Sequence, residues 1–135
     1  MTTRILLVED NPSDVELVRT AFEEAGITAE FTIFRDGDEA IAGIQRIAQA
    51  GPRPDLALLD LNLPRTSGHE VLATVRGLDR FDGMPVVVFS TSNHPADRAR
   101  CLASGADDYQ VKPPRFAELL DLVQHLRTRW LAGSP

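Results

Sequence analysis

The sequence predicts an α/β protein built on an open, doubly wound parallel sheet of five strands. Three observations predict it. Five short apolar runs alternate with helical patterns along the 135 residues. The runs are continuously apolar rather than alternating, as strands covered by helices on both faces are. Polar residues, carboxylates above all, end these runs, and such sheets open their sites beyond the carboxyl ends of the strands.

Each element follows in turn. "RILLVED" (4–10) is an apolar run ending in two acids, after which Asn11 and Pro12 supply a cap and a first-turn proline. Val15, Val18, Ala21, Phe22 and Ala25 recur at helical spacing until Gly26 stops the first helix. "EFTIFRDG" (30–37) is a β-rich run closed by an Asp-Gly turn. Ala40, Ile41, Ile44, Ile47 and Ala48 mark a second helix, ended by Gly51-Pro52. "DLALLDLNLP" (55–64) is the third run, and Val71, Leu72 and Val75 turn one face of a third helix to the sheet. "MPVVVFSTS" (84–92) is the most strand-like segment, while Pro95–Ser104 reads as a weakly apolar, well exposed helix. "DDYQV" (107–111) is a short last strand, and Phe116, Leu119, Leu120, Val123, Leu126 and Trp130 give a strong amphipathic helix.

Composition narrows the function classes. A net charge of −6 argues against sequence-independent binding to nucleic acid or to an anionic membrane. The single cysteine, Cys101, makes no internal disulfide, and no Cys/His cluster suggests zinc. The first apolar run is too short for a signal peptide, and none reaches transmembrane length. The expectation is a cytoplasmic protein of one domain, residues 1–135, with its core at about 4–130.

The polar ends of the runs should share one edge: Glu9 and Asp10 after the first, Asp60 after the third, Ser90 and Thr91 after the fourth, Lys112 after the fifth. Singly, each has an ordinary reading as a cap, a turn former or a surface charge. Together they form a chemical set. Three carboxylates repel unless a cation sits among them, and carboxylates with carbonyls and waters suit Mg²⁺. A carboxylate is also a nucleophile toward phosphorus, and metal, ammonium and hydroxyl would then surround the transferred group. Lys112 is the only lysine beside thirteen arginines, and a compact ammonium suits a tight pocket better than a planar fork.

"LLVEDNP", "LLDLNLPRTSG", "VVVFSTS" and "ADDYQVKPP" resemble the signature segments of CheY-like receiver domains, the response regulators of two-component signalling. The likeness runs from Ile5 to about Trp130, and the spacings of 30 residues from Asp60 to Ser90 and 22 from Ser90 to Lys112 match that family. The resemblance implies a flavodoxin-like sheet in the order 2-1-3-4-5, for which CheY is itself a standard example. It also implies that Asp60 is the phosphoacceptor. Glu9, Asp10, Asp60 and the backbone carbonyl of Asn62 would hold Mg²⁺, Ser90 and Lys112 would contact the phosphoryl group, and Tyr109 would be the switch aromatic. A cis Lys112-Pro113 peptide is expected by the same likeness. Thr91 stands where alanine is frequent, which narrows access for donor or water, and Asn62 and Ser92 stand at positions that tune phosphoryl loss.

The expected role is that of a phosphoacceptor rather than an enzyme, limited to self-phosphotransfer and its own dephosphorylation. A sensor histidine kinase would supply the phosphoryl group, and output would run through the face of the fourth helix, fifth strand and fifth helix, with no output domain. "LLVEDNPSDVELVRTAFEE", "STSNHPADRARCLASGADDYQVKPP" and the terminal Trp130 resemble single-domain regulators paired with bacterial phytochromes or hybrid kinases, often as homodimers. Trp130-Leu131 would either join a contact surface or fold back on the core. Rival readings are a haloacid-dehalogenase-type phosphatase, a flavodoxin-type FMN carrier and a non-phosphorylated scaffold receiver. The first lacks its early DxD motif, the second meets an acidic first turn, and the third usually loses an acid or the lysine.

Overall fold

The computed structural model describes residues 2–131. Strands β1 (Thr3–Val8), β2 (Ala29–Phe34), β3 (Leu56–Leu59), β4 (Val86–Ser90) and β5 (Asp108–Val111) alternate with helices α1 (Pro12–Glu24), α2 (Gly37–Ala50), α3 (Gly68–Arg76), α4 (Pro95–Ala103) and α5 (Phe116–Leu126). All strands pair in parallel, in the order β2-β1-β3-β4-β5. The expected winding is therefore the observed one.

Strand alternation divides the core in two. Leu6, Val8, Ala57, Leu59, Val86 and Val88 point to one face, where Ala40 and Ile44 of α2, Val71, Leu72 and Val75 of α3, and Cys101 of α4 pack on them. Ile5, Leu7, Leu56, Leu58, Val87 and Phe89 point to the other, under Val15, Val18, Ala21 and Phe22 of α1 and Leu119, Val123 and Leu126 of α5. Both faces being covered, β3 and β4 are buried at every residue. Each large apolar side chain so buried contributes about 2 kcal/mol.

Local chemistry sets the helix ends. Asn11 Oδ1 accepts from the amides of Ser13 (2.9 Å) and Asp14 (3.3 Å), a cap that contributes about 1 kcal/mol to α1. Gly26, at φ 77°, closes α1 where an L side chain would be strained. Helix α5 ends at Leu126 and continues as a single π turn, Arg127–Leu131. Trp130 and Leu131 fold back on the α1/α5 face, so the packing alternative holds for this pair. Helix α4 buries only Cys101, as its composition predicts.

Below the sheet, at the amino ends of β4 and β5, Arg76 acts as a clasp. Its guanidinium donates to the carbonyls of Gly105 (2.8 Å), Met84 (2.9 Å) and Phe81 (3.4 Å) and to Asp107 Oδ2 (2.8 Å). The same Asp107 oxygen accepts from the Val86 amide at 2.8 Å.

Candidate functional site

The sheet changes winding direction at β1 and β3: α1 leaves toward one face and α2 toward the other, so the carboxyl ends of these adjacent strands open a crevice. Backbone bonds carry the acidic residues into it. The amide of Glu9 donates to Phe34 O (3.0 Å) and that of Asp60 to Val8 O (3.0 Å), extending the ladders one residue past β1 and β3. Carboxylate oxygens of Glu9, Asp10 and Asp60 lie within 4.8 Å of one another. Glu9 and Asp60 are buried, at 3% and 5% exposure, and Asp10 is exposed. An all-oxygen, acid-rich set open to water on one side is what a hard divalent cation takes.

Lys112 reaches this crevice from the next-but-one strand. Its amide donates to Ser90 O at 2.8 Å, and its Nζ lies 2.6 Å from Glu9 Oε1, 2.9 Å from Asp14 Oδ2 and 3.0 Å from Asp60 Oδ2. Its side chain is only 11% exposed and passes over the Phe89 ring, Nζ standing 5.7 Å from the centroid. Burial alone would lower its pKa, but the bonds to Glu9 and Asp14 and the surrounding negative charge raise it above its ordinary value. It is therefore an ammonium throughout the physiological range. Glu9 goes the other way. Burial pushes it up to about 7 from its ordinary 4.5; the Lys112 bond pulls it down, and the Asp60 charge adds to the rise. One ammonium thus leaves the three-carboxylate cluster under-neutralised, with Glu9 poised to take a proton or yield an oxygen to a cation.

The loop after β3 is shaped around Asp60. The Asn62 amide donates to Asp60 Oδ1 at 3.2 Å, leaving Oδ2 to the lysine. The carbonyl expected to complete the ligand set belongs to this same residue, Asn62. Gly68 donates to Leu61 O at 3.0 Å, and a Cβ there would sit 2.6 Å from Leu61 Cα and closer still to the Asp60 carbonyl. The glycine of "RTSG" is thus the side-chain-free point at which α3 begins against the end of β3.

Ser90 is fully buried at the end of β4, its Oγ accepting from the Ser92 amide at 3.3 Å, whereas Thr91 is exposed. Tyr109 is 3% exposed, and its hydroxyl donates to Ser92 O at 2.7 Å, an inward position. Ser92 Oγ also donates to Asp97 at 2.5 Å, and Arg98 donates to Tyr109 O at 3.0 Å, joining loop, α4 and β5.

One expectation changes here, and one residue is added. No cis peptide occurs among the described residues, so Lys112-Pro113 is trans. The register of β5 against β4 already aims the lysine at Asp60, and trans is the lower-energy isomer for an X-Pro bond. Asp14 is the residue the sequence reading missed. It stands in the first turn of α1, four residues after Asp10 in the chain. Asp10 precedes the helix, so that spacing carries no helical meaning, and a first-turn acid ordinarily answers the helix dipole.

Comparison with known proteins yields one family. The response regulator receiver domain matches residues 5–124. The chain is 38% identical to the probable methanogenesis regulatory protein FilR2 of Methanothrix harundinacea, over 96% of this chain and 84% of that protein. It is 37% identical to the response regulator Rcp1 of Synechocystis, over 94% of this chain and 88% of the relative. The Mn²⁺-bound structure of Rcp1 superposes with a TM-score of 0.79 at 35% identity, covering 96% of this chain and 94% of that one. The phosphorylated cyanobacterial phytochrome response regulator RcpA superposes at 0.89 and 34% identity, covering 100% and 98%.

Proposed function

The chain belongs to the response regulator receiver domain family, and from that premise we propose that it takes a phosphoryl group onto Asp60 from a sensor histidine kinase. The observation that carries the reading is the convergence of Asp60, Glu9, Asp10 and Lys112 on one crevice. Asp60 attacks phosphorus; the phosphorus–nitrogen bond of the donor phosphohistidine breaks, and its electron pair stays with the leaving imidazole. Water later attacks the same phosphorus and returns the carboxylate. Both steps belong to the protein's own acceptor, which is signalling chemistry rather than turnover of an external substrate.

Glu9, Asp10, Asp60 and the Asn62 carbonyl would hold Mg²⁺, an assignment supported by the donor set and by the metal-bound structure of Rcp1. When bound, the ion neutralises charge on the phosphoryl oxygens. Lys112 holds a fixed positive charge beside Asp60 Oδ2, where it would meet the negative charge of the arriving phosphoryl oxygens. Ser90 lies buried at the end of the adjacent strand, and its hydroxyl would donate to a phosphoryl oxygen. Tyr109 would report that shift, through the carbonyl of Ser92 that it already grips. Thr91, exposed and next after Ser90, would restrict access for donor or water.

The altered surface would be that of α4, β5 and α5, read by protein partners without direct contact to nucleic acid or membrane, in the cytoplasm. No described helix is long and apolar enough to cross a membrane. The likeness to RcpA supports a phytochrome-type kinase; the likeness to FilR2 keeps kinases with other inputs in view, and the homodimer rests on the sequence resemblance alone.

Acetyl phosphate with Mg²⁺ should add one phosphoryl group to the intact protein by mass, and Asp60→Asn should abolish the gain. Equal labelling of the variant would place the acceptor elsewhere. Sustained release of phosphate from ordinary monoesters would favour a phosphatase instead.

A further inference from the structure

Asp14 lies outside the carboxylate cluster of Glu9, Asp10 and Asp60, yet it accepts a hydrogen bond from the chain's only lysine at 2.9 Å. An ammonium has three N–H donors, and each here has one carboxylate: Glu9, Asp14 and Asp60. Two of those three are claimed by the chemistry proposed above, Glu9 by the cation and Asp60 by the cation and the phosphoryl group. Asp14 alone is left to the lysine at every stage. Its own position is firm, because its amide is held by the Asn11 cap (3.3 Å) in the first turn of α1. A lysine stem released from two partners regains rotamer freedom, and a remaining tether keeps its charge where it is used.

Resting on the Asp60 reading, we infer that Asp14 is a positioning residue that anchors Lys112 Nζ over the phosphoryl site while its other partners are drawn into the reaction. An acid serving only the helix dipole would be indifferent to Lys112, and this difference is measurable.

A double-mutant cycle on the full chain separates the two roles. With acetyl phosphate at saturating Mg²⁺, Asp14→Asn should lower the maximal phosphorylation rate roughly three- to tenfold, the range for a partly exposed charge-assisted hydrogen bond. The Mg²⁺ requirement should move less than about twofold, and in a Lys112→Met background the same substitution should have no further effect. Equal losses in both backgrounds, or a loss that excess Mg²⁺ restores, overturns the anchor. The metal-free protein gives an independent readout, since ¹⁵N-lysine labelling yields a single side-chain signal. The Nζ resonance should be visible and slow to exchange in the wild type, and broadened or lost in Asp14→Asn. An unchanged resonance overturns the proposal. A wild type that takes no phosphoryl group overturns the receiver chemistry itself, and this inference with it, whereas normal wild-type labelling with an additive cycle overturns the anchor alone.

Discussion

The contribution of Glu9 to the stability of the metal-free protein should fall as pH rises from about 5 to about 8, opposite to the usual behaviour of a paired carboxylate. The perturbation is deprotonation of Glu9, which faces Asp60 from β3, Lys112 from β5, and Asp10 and Asp14 at the start of α1. Its pKa rises from 4.5 in the ordinary state to about 7 in the fold. Between those values the folded chain binds more protons than the unfolded one, so stability falls with each pH unit gained. At about 1.4 kcal/mol per unit, the full interval is worth about 3 kcal/mol. Lys112 titrates far above this window and contributes evenly across it. Urea unfolding in EDTA, followed by the fluorescence of the single tryptophan, Trp130, measures the slope directly. Glu9→Gln should flatten it, and saturating Mg²⁺ should reverse it, because the cation competes with the proton for the same oxygen. The apparent Mg²⁺ affinity should therefore weaken about fivefold between about pH 7 and about pH 6. A wild-type slope unchanged by Glu9→Gln would refute the reasoning.

Two further outcomes follow from the same geometry. Lys112→Arg should keep the fold and the charge but lower the phosphorylation rate about a hundredfold, since a planar guanidinium does not fit one point between three carboxylates; normal labelling of the folded variant would make the lone lysine incidental. Arg76→Met removes one donor from each of three carbonyls and from Asp107 and should cost about 2 kcal/mol of urea stability, with the phosphorylation rate of the folded protein unchanged because the clasp lies at the opposite ends of the strands.

Much of this architecture is legible in the chain because two-faced burial leaves a coarse signature. "ILLV", "LALL" and "VVVF" are apolar at both parities, and the structure assigns alternate residues to the two core clusters. Their polar successors then fall at one edge by topology alone, which is why Glu9, Asp10, Asp60 and Lys112 could be grouped unseen. What escaped depends on direction rather than sequence position. Asp14 sits where a dipole-facing acid is ordinary, and only the reach of Lys112 across two strands distinguishes it. The trans Lys112-Pro113 peptide is a backbone state that the residue pair alone does not encode. The inward seat of Tyr109 rests on the Ser92 carbonyl, a backbone partner invisible in a string of side chains.

Helix α4 offers a last consequence. Of its nine residues only Cys101 is buried, and Asp97 and Arg98 tie it to the Ser92 loop and to β5. Its outer residues carry almost no share of the folding free energy, so mutation can rewrite them at little structural cost. Partner preference on the proposed output surface would accordingly be free to diverge between gene copies while the crevice residues stay fixed. An engineer seeking to reroute the signal would begin with the same outer positions.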